Sequence, residues 1–215
     1  MVKLDYLMRT VQQLAHTLAA LLGGARGRTL AESRTRLDTI SATFTGLDLG
    51  TLKAFSYADL HAVLAAGGTL AVERAFAAGR VLQADAELAA ERDAGPGRAQ
   101  VMTAFRLLAE VADDVGGFVD EHHERGLLFL HDALRGDLGS PEVARQAFRA
   151  WRLTRHLDRA EEALFEWIAL DARARSTAES FYRALLALPD RELEARRLPR
   201  HEVHEGMREL RLGSR

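Results

Sequence analysis

The chain contains no cysteine, so disulfides, thiol nucleophiles and thiolate metal centres are excluded. That absence fits a reducing compartment, and a cytoplasmic location is the expectation. Lysine is nearly missing: Lys3 and Lys53 stand alone, and arginine supplies the other basic residues. With 29 basic against 31 acidic residues, there is no positive excess of the kind a general nucleic-acid binder presents. Only four prolines occur in 215 residues, which favours long regular elements over many short strands. No apolar run approaches the about 20 residues needed to span a bilayer. Near the start, Asp5, Arg9, Gln12, Gln13 and His16 interrupt what a secretory leader would keep apolar. Signature motifs are missing as well. No glycine–lysine pair exists for a phosphate loop, and no G-x-S-x-G for a nucleophile elbow. Gly23-Gly24-Ala25-Arg26-Gly27 follows a helical pattern rather than a strand, which argues against a dinucleotide site.

What is present reads as helix. Alanine and leucine are abundant while valine and isoleucine are sparse, and unbranched side chains lose less rotamer freedom in a helix. Leu4, Leu7, Met8, Val11, Leu14, Ala15, Leu18, Leu21 and Leu22 recur with a seven-residue period and predict a first helix that ends at Gly23-Gly24. Its stripe suits packing on its own domain, or a dimerisation seam. Further helices are expected over about 29–44, after Ser56, and over about 70–88, with Gly46 and Gly50 bracketing a turn between the first two. Others follow over 98–115 and 118–134, the latter kinked in its polar middle at 121–126. Gly139-Ser140-Pro141 stops one helix and starts the next, and the pattern continues over 141–154, 157–170, 172–188 and two short C-terminal segments. The expectation is a single all-α domain over 1–215, with about nine to eleven antiparallel helices. If it subdivides, it does so near 67–68 or at the Asp93–Gly97 break.

The 141–170 segment resembles a tetratricopeptide repeat. In that motif an aromatic late in the first helix is followed nine residues on by a small alanine in the second, and Trp151 and Ala160 have that spacing. Leu157, Leu164 and Trp167 stand at the positions that face inward. The match is partial, since Phe148 replaces an expected small residue and the closing proline is missing. A weaker candidate near Ala99 lies 61 residues before Ala160, which is not a multiple of the 34-residue period. The resemblance implies α-solenoid-like packing in the C-terminal half rather than a regular array. Over its full length the chain also resembles an uncharacterised family of small bacterial all-helical proteins. That likeness rests on Asp5-Tyr6-Leu7-Met8-Arg9, on Leu186 to Ala195, and on Leu198-Pro199-Arg200 with Val203 and Gly206. It implies a fold and no activity.

Candidate chemistry is sparse. His201 and His204 lie three residues apart on the last helix, a spacing that puts two ligands on one face but is one residue short of the zinc signature. His122 and His123 point about 100° apart on a helix and do not readily share a metal, so with His131 they read first as core-edge histidines. Arg145, Arg149 and Arg152 follow i, i+4, i+7 on one helix face and present fork-shaped donors suited to carboxylates or phosphates. Nearby Glu142, Asp158, Glu161 and Glu162 offer them partners within the chain. No residue is nominated as catalytic, cofactor-binding or metal-binding, and no cofactor is implied. The leading expectation is a non-enzymatic helical-repeat-like module that binds a protein or peptide through Arg145, Arg149 and Arg152. The alternatives are self-association as a homodimer through the 4–22 helix, and a metal-binding or enzymatic role for the histidine clusters.

Overall fold

The structure, a computed structural model, describes residues 2–66, 69–134 and 138–212, with the side chains of 9–25, 27–65, 71–134 and 138–211. The heptad stripe forms α1 (Val2–Gly23). Short polar side chains then start one helix after another. Thr29 caps α2 (Leu30–Thr45) in a reciprocal box. The Glu32 N–H donates to Thr29 Oγ1 at 3.2 Å, and the Thr29 N–H donates to Glu32 Oε2 at 2.8 Å. Asp48 caps α3 (Leu49–Ala54), and Ser56 caps α4 (Tyr57–Leu64). Two-residue strands β1 (Ala65–Ala66) and β2 (Thr69–Leu70) pair antiparallel, and α5 (Val72–Ala90), α6 (Arg98–Val115) and α7 (Glu121–Ala133) follow. Gly139 is left-handed at φ 73°, Ser140 takes the Val143 N–H, and Pro141 opens α8 (Pro141–Arg152). Then come α9 (Leu157–Leu170), α10 (Arg175–Leu186), α11 (Asp190–Ala195) and α12 (Arg200–Leu212).

The fold is all-α, with twelve α-helices among the described residues. The helix not anticipated from sequence is α3. Gly46 turns the chain at φ 78°, but Gly50, expected to close that turn, lies inside the helix that Asp48 starts. None of the described helices is long and apolar enough to cross a membrane. The chain divides into two compact units, residues 1–135 and 136–215. The division does not fall at Asp93–Gly97, because that segment joins α5 to α6, which pack together along their length. Gly67 and Gly68 lie outside the described residues.

In the first unit α5 is the axis. It packs against α1, α2, α3, α4, α6 and α7, and almost every residue from Ala75 to Ala89 is buried. Small side chains let the neighbours close in on all sides. A Cβ on Gly79 would sit 2.7 Å from Leu108 Cδ2 of α6. The described part of the α1 stripe, Val11, Leu14, Leu18 and Leu21, is buried, and α1 packs on α2 and α5 of the same unit. The side chains of Leu4, Leu7 and Met8 lie outside the described set. α7 runs as one continuous helix through Gly126, where a kink was expected. The glycine there serves close approach instead, since a Cβ would fall 2.8 Å from Arg80 Nη1.

In the second unit α8 packs against α9, with Trp151, Ala160, Leu157 and Leu164 all buried. Trp167, expected to face inward, is half-buried and lies 6.1 Å from the Phe148 ring. Arginines from the tail satisfy helix C-termini. Arg196 donates through Nη2 to the Arg152 carbonyl at 2.7 Å and through Nε to the Thr154 carbonyl at 3.0 Å. Arg200 donates to the Leu186 and Leu188 carbonyls at the end of α10 and pairs with Asp190. The Leu198-Pro199-Arg200 sequence thus has a structural task at that helix end.

Candidate functional site

Residues of α8, α9 and α10 and of the loops before and after α11 surround a groove of about 360 Å³ in the second unit. Phe148, Leu157 and Leu185 are its buried apolar floor, and Phe181 and Leu188 line it half-buried. Phe148 and Phe181 meet edge to face at 5.3 Å, a geometry that holds both rings still. Arg152 stands exposed at the rim, beside half-buried Arg196. Neither forms an ion pair with an acid among the described residues. The groove therefore couples an apolar surface to the exposed guanidinium of Arg152, while Arg196 is held by the Arg152 and Thr154 carbonyls.

The structure places Arg145, Arg149 and Arg152 all exposed on α8, and Arg152 is the one of the three that lines the groove. Arg196 was not signalled by the sequence, because it comes from a loop 44 residues beyond the Arg152 carbonyl it holds.

The histidines are scattered. His123 is fully buried, with Nε2 at 2.9 Å from the Leu108 carbonyl and Nδ1 accepting the Val119 N–H at 3.2 Å. This fixes the neutral tautomer with its proton on Nε2, and burial lowers the pKa to about 4. Its ring packs edge-on against Phe76 and Phe118. His131 is buried beside Phe105, while His122 is half-buried. His201 and His204 are exposed on α12. Among the described residues, no group of three or more His, Asp or Glu side chains is arranged to hold a metal ion.

Three polar clusters were not visible in the sequence. Asp85 of α5, 1% exposed, receives Arg34 Nε at 2.6 Å, Lys53 Nζ at 2.7 Å and Gln100 Nε2 at 3.0 Å. Glu110 of α6 accepts the Tyr57 hydroxyl and lies 3.0 Å from His61 Nε2, with Arg106 over the Tyr57 ring at 3.5 Å. In the second unit the Tyr182 hydroxyl donates to Glu161 at 2.6 Å beneath Gly206. Each joins different helices through residues 15 to 53 positions apart, and the only signal would have been a polar residue inside an otherwise apolar helix.

No curated protein and no solved structure matches the chain significantly. The profile of one family does match, over residues 1–212, and that family is described as one of unknown function. Reaching from α1 through the last turn of α12, the match establishes that the chain belongs to the family of unknown function DUF6483.

Proposed function

We propose that the protein is a non-enzymatic interaction module whose second unit receives a peptide segment bearing an apolar side chain flanked by acidic residues. The observation that carries this reading is the groove, where a floor of Phe148, Leu157 and Leu185 adjoins Arg152. An apolar side chain seated on that floor gains roughly 25 cal/mol per Å² removed from water. A carboxylate beside it meets a planar guanidinium suited to two parallel hydrogen bonds. Arg145 and Arg149 continue the exposed basic stripe along the same helix, so an acidic segment lies next to further positive charge. The buried Trp151 and Ala160 support tetratricopeptide-like packing of the α8–α9 hairpin, an architecture that leaves such grooves between helices. Self-association through α1 draws less support, because Val11, Leu14, Leu18 and Leu21 are already buried within their own unit.

Fluorescence anisotropy with synthetic peptides tests the reading. A peptide with one leucine or phenylalanine among glutamates should bind more tightly than its glutamine counterpart, and more tightly than one with alanine as the anchor. Changing Arg145, Arg149 and Arg152 together to alanine should weaken that binding by about tenfold while leaving the melting temperature in place. Equal binding of the glutamate and glutamine peptides would remove the reading.

A further inference from the structure

The α5 helix buries two opposite charges and treats them differently. Asp85 is gripped by the Nε and Nη2 of Arg34, by Lys53 and by Gln100. Arg80 is 7% exposed and has no carboxylate within ion-pair distance among the described residues. Its Nη1 donates to Gln83 Oε1 at 2.9 Å and to the His122 carbonyl. Gln83 in turn donates to Glu87 at 2.6 Å, so the amide stands between the arginine and that carboxylate. Burial pushes the Arg80 pKa below the ordinary arginine value, with the attraction of Glu87 and Asp120 working the other way.

The remaining edge of the guanidinium, Nε with Nη2, makes no hydrogen bond among the described residues. Nor are these two atoms among the sealed polar atoms that lack a partner. Arg80 lines a pocket of about 260 Å³ with Glu87, His122 and the exposed Arg125 on one side and the apolar Ala15, Ala19 and Leu22 of α1 on the other. Gly126 makes the arrangement possible, because a Cβ on α7 would displace Arg80 and Gln83 from their seat. A nearly buried cation is expensive without an anion against it. The same Nε and Nη2 edge is the one by which Arg34 holds Asp85.

We infer that this pocket binds a small aliphatic monocarboxylate, its carboxylate on the Nε–Nη2 edge of Arg80 and its alkyl body against α1. The planar fork matches a carboxylate. Half-buried Ala15 and Leu22 offer an alkyl chain its contact surface, and a pocket of about 260 Å³ suits a small molecule. Glu87 lines the same pocket and repels a second negative charge. Arg125, which also lines it, is exposed and paired with Glu121 at 3.4 Å, so its charge is met largely by solvent and that partner; this favours a monoanion over a phosphate dianion.

Calorimetric titration of the full chain with butyrate, butyramide and inorganic phosphate tests the assignment. Butyrate should bind, with butyramide and phosphate at least about tenfold weaker. Arg80→Gln should abolish butyrate binding, and Glu87→Gln should tighten it several-fold. Ala19→Phe adds bulk at an exposed position of the pocket and should block binding with Arg80 intact. This variant decides the matter if Arg80→Gln does not fold. Failure of butyrate to bind, equal binding of butyramide, preference for phosphate, or unchanged affinity in Ala19→Phe would each overturn the assignment.

Discussion

Asp85 and Glu161 are both carboxyls withdrawn from water, and their partners decide what burial does to them. Burial pushes Asp85 up, but hydrogen bonds from Arg34, Lys53 and Gln100 outweigh it and hold the carboxyl below its usual range. That stabilisation is present above the unfolded carboxyl's range and is lost as pH falls through the lower folded value. Asp85→Asn keeps the shape and strips the charge. It should cost about 3 kcal/mol in urea unfolding, moderated because Arg34 and Lys53 are about one-third exposed and can return to water. Glu161 has a single hydroxyl partner, Tyr182. Burial, with help from Glu202, Glu209 and Glu162, raises its pKa to about 7. A raised carboxyl binds its proton more tightly when folded, so its contribution is complete below about pH 4.5 and declines as pH rises to about 7. Comparing urea midpoints of the wild type and Glu161→Gln from pH 4.5 to 7 should show the wild type losing more stability with rising pH. His123 has the opposite sign. Its pKa is lowered to about 4, so its contribution is lost as pH falls from about 6.5 toward 4. None of these roles could be read from sequence, because Asp85 meets partners 51, 32 and 15 residues away on three other helices.

Helix starts and stops were the most legible features, since a cap is a local property. Ser140 and Pro141 open α8 where that pattern placed them, and Gly116 closes α6 in the left-handed region. α3 escaped because Gly50 resembles a turn residue, although Asp48 followed by Leu49 and Leu52 carried the signal of a capped, half-buried helix. The contacts between helices were not legible, and the interior glycines show why. Gly206 carries no left-handed backbone, and the space above it decides its identity. A Cβ there would fall 2.7 Å from Tyr182 Cζ and closer still to its hydroxyl, which is held by Glu161. Gly206→Ala should destabilise the protein by about 1–3 kcal/mol through overpacking. Tyr182→Phe removes the atom struck first, so the double variant should lose less than the sum of the two single losses. A thermal-melt double-mutant cycle checks this, and strict additivity would show that the two residues do not press on each other.

The chain as a whole was read correctly as all-α from its composition and periodicity, which are global properties that survive without tertiary information. The division into residues 1–135 and 136–215 was not visible. The break at Asp93–Gly97 is rich in turn residues but joins two helices that pack together, so turn chemistry was a poor guide to where the units end. Arg145, Arg149 and Arg152 are candidates by their helical spacing alone, whereas the apolar groove beside Arg152 comes from three helices and the two loops that flank α11. The functional account stands on that groove. Its most direct test is a nuclear magnetic resonance titration of the full chain with the glutamate-flanked leucine peptide. The account predicts that resonances of Phe148, Arg152, Phe181 and Leu188 shift together, and that those of α12 stay in place. Shifts spread over the surface, or confined to arginines away from the groove, would contradict it.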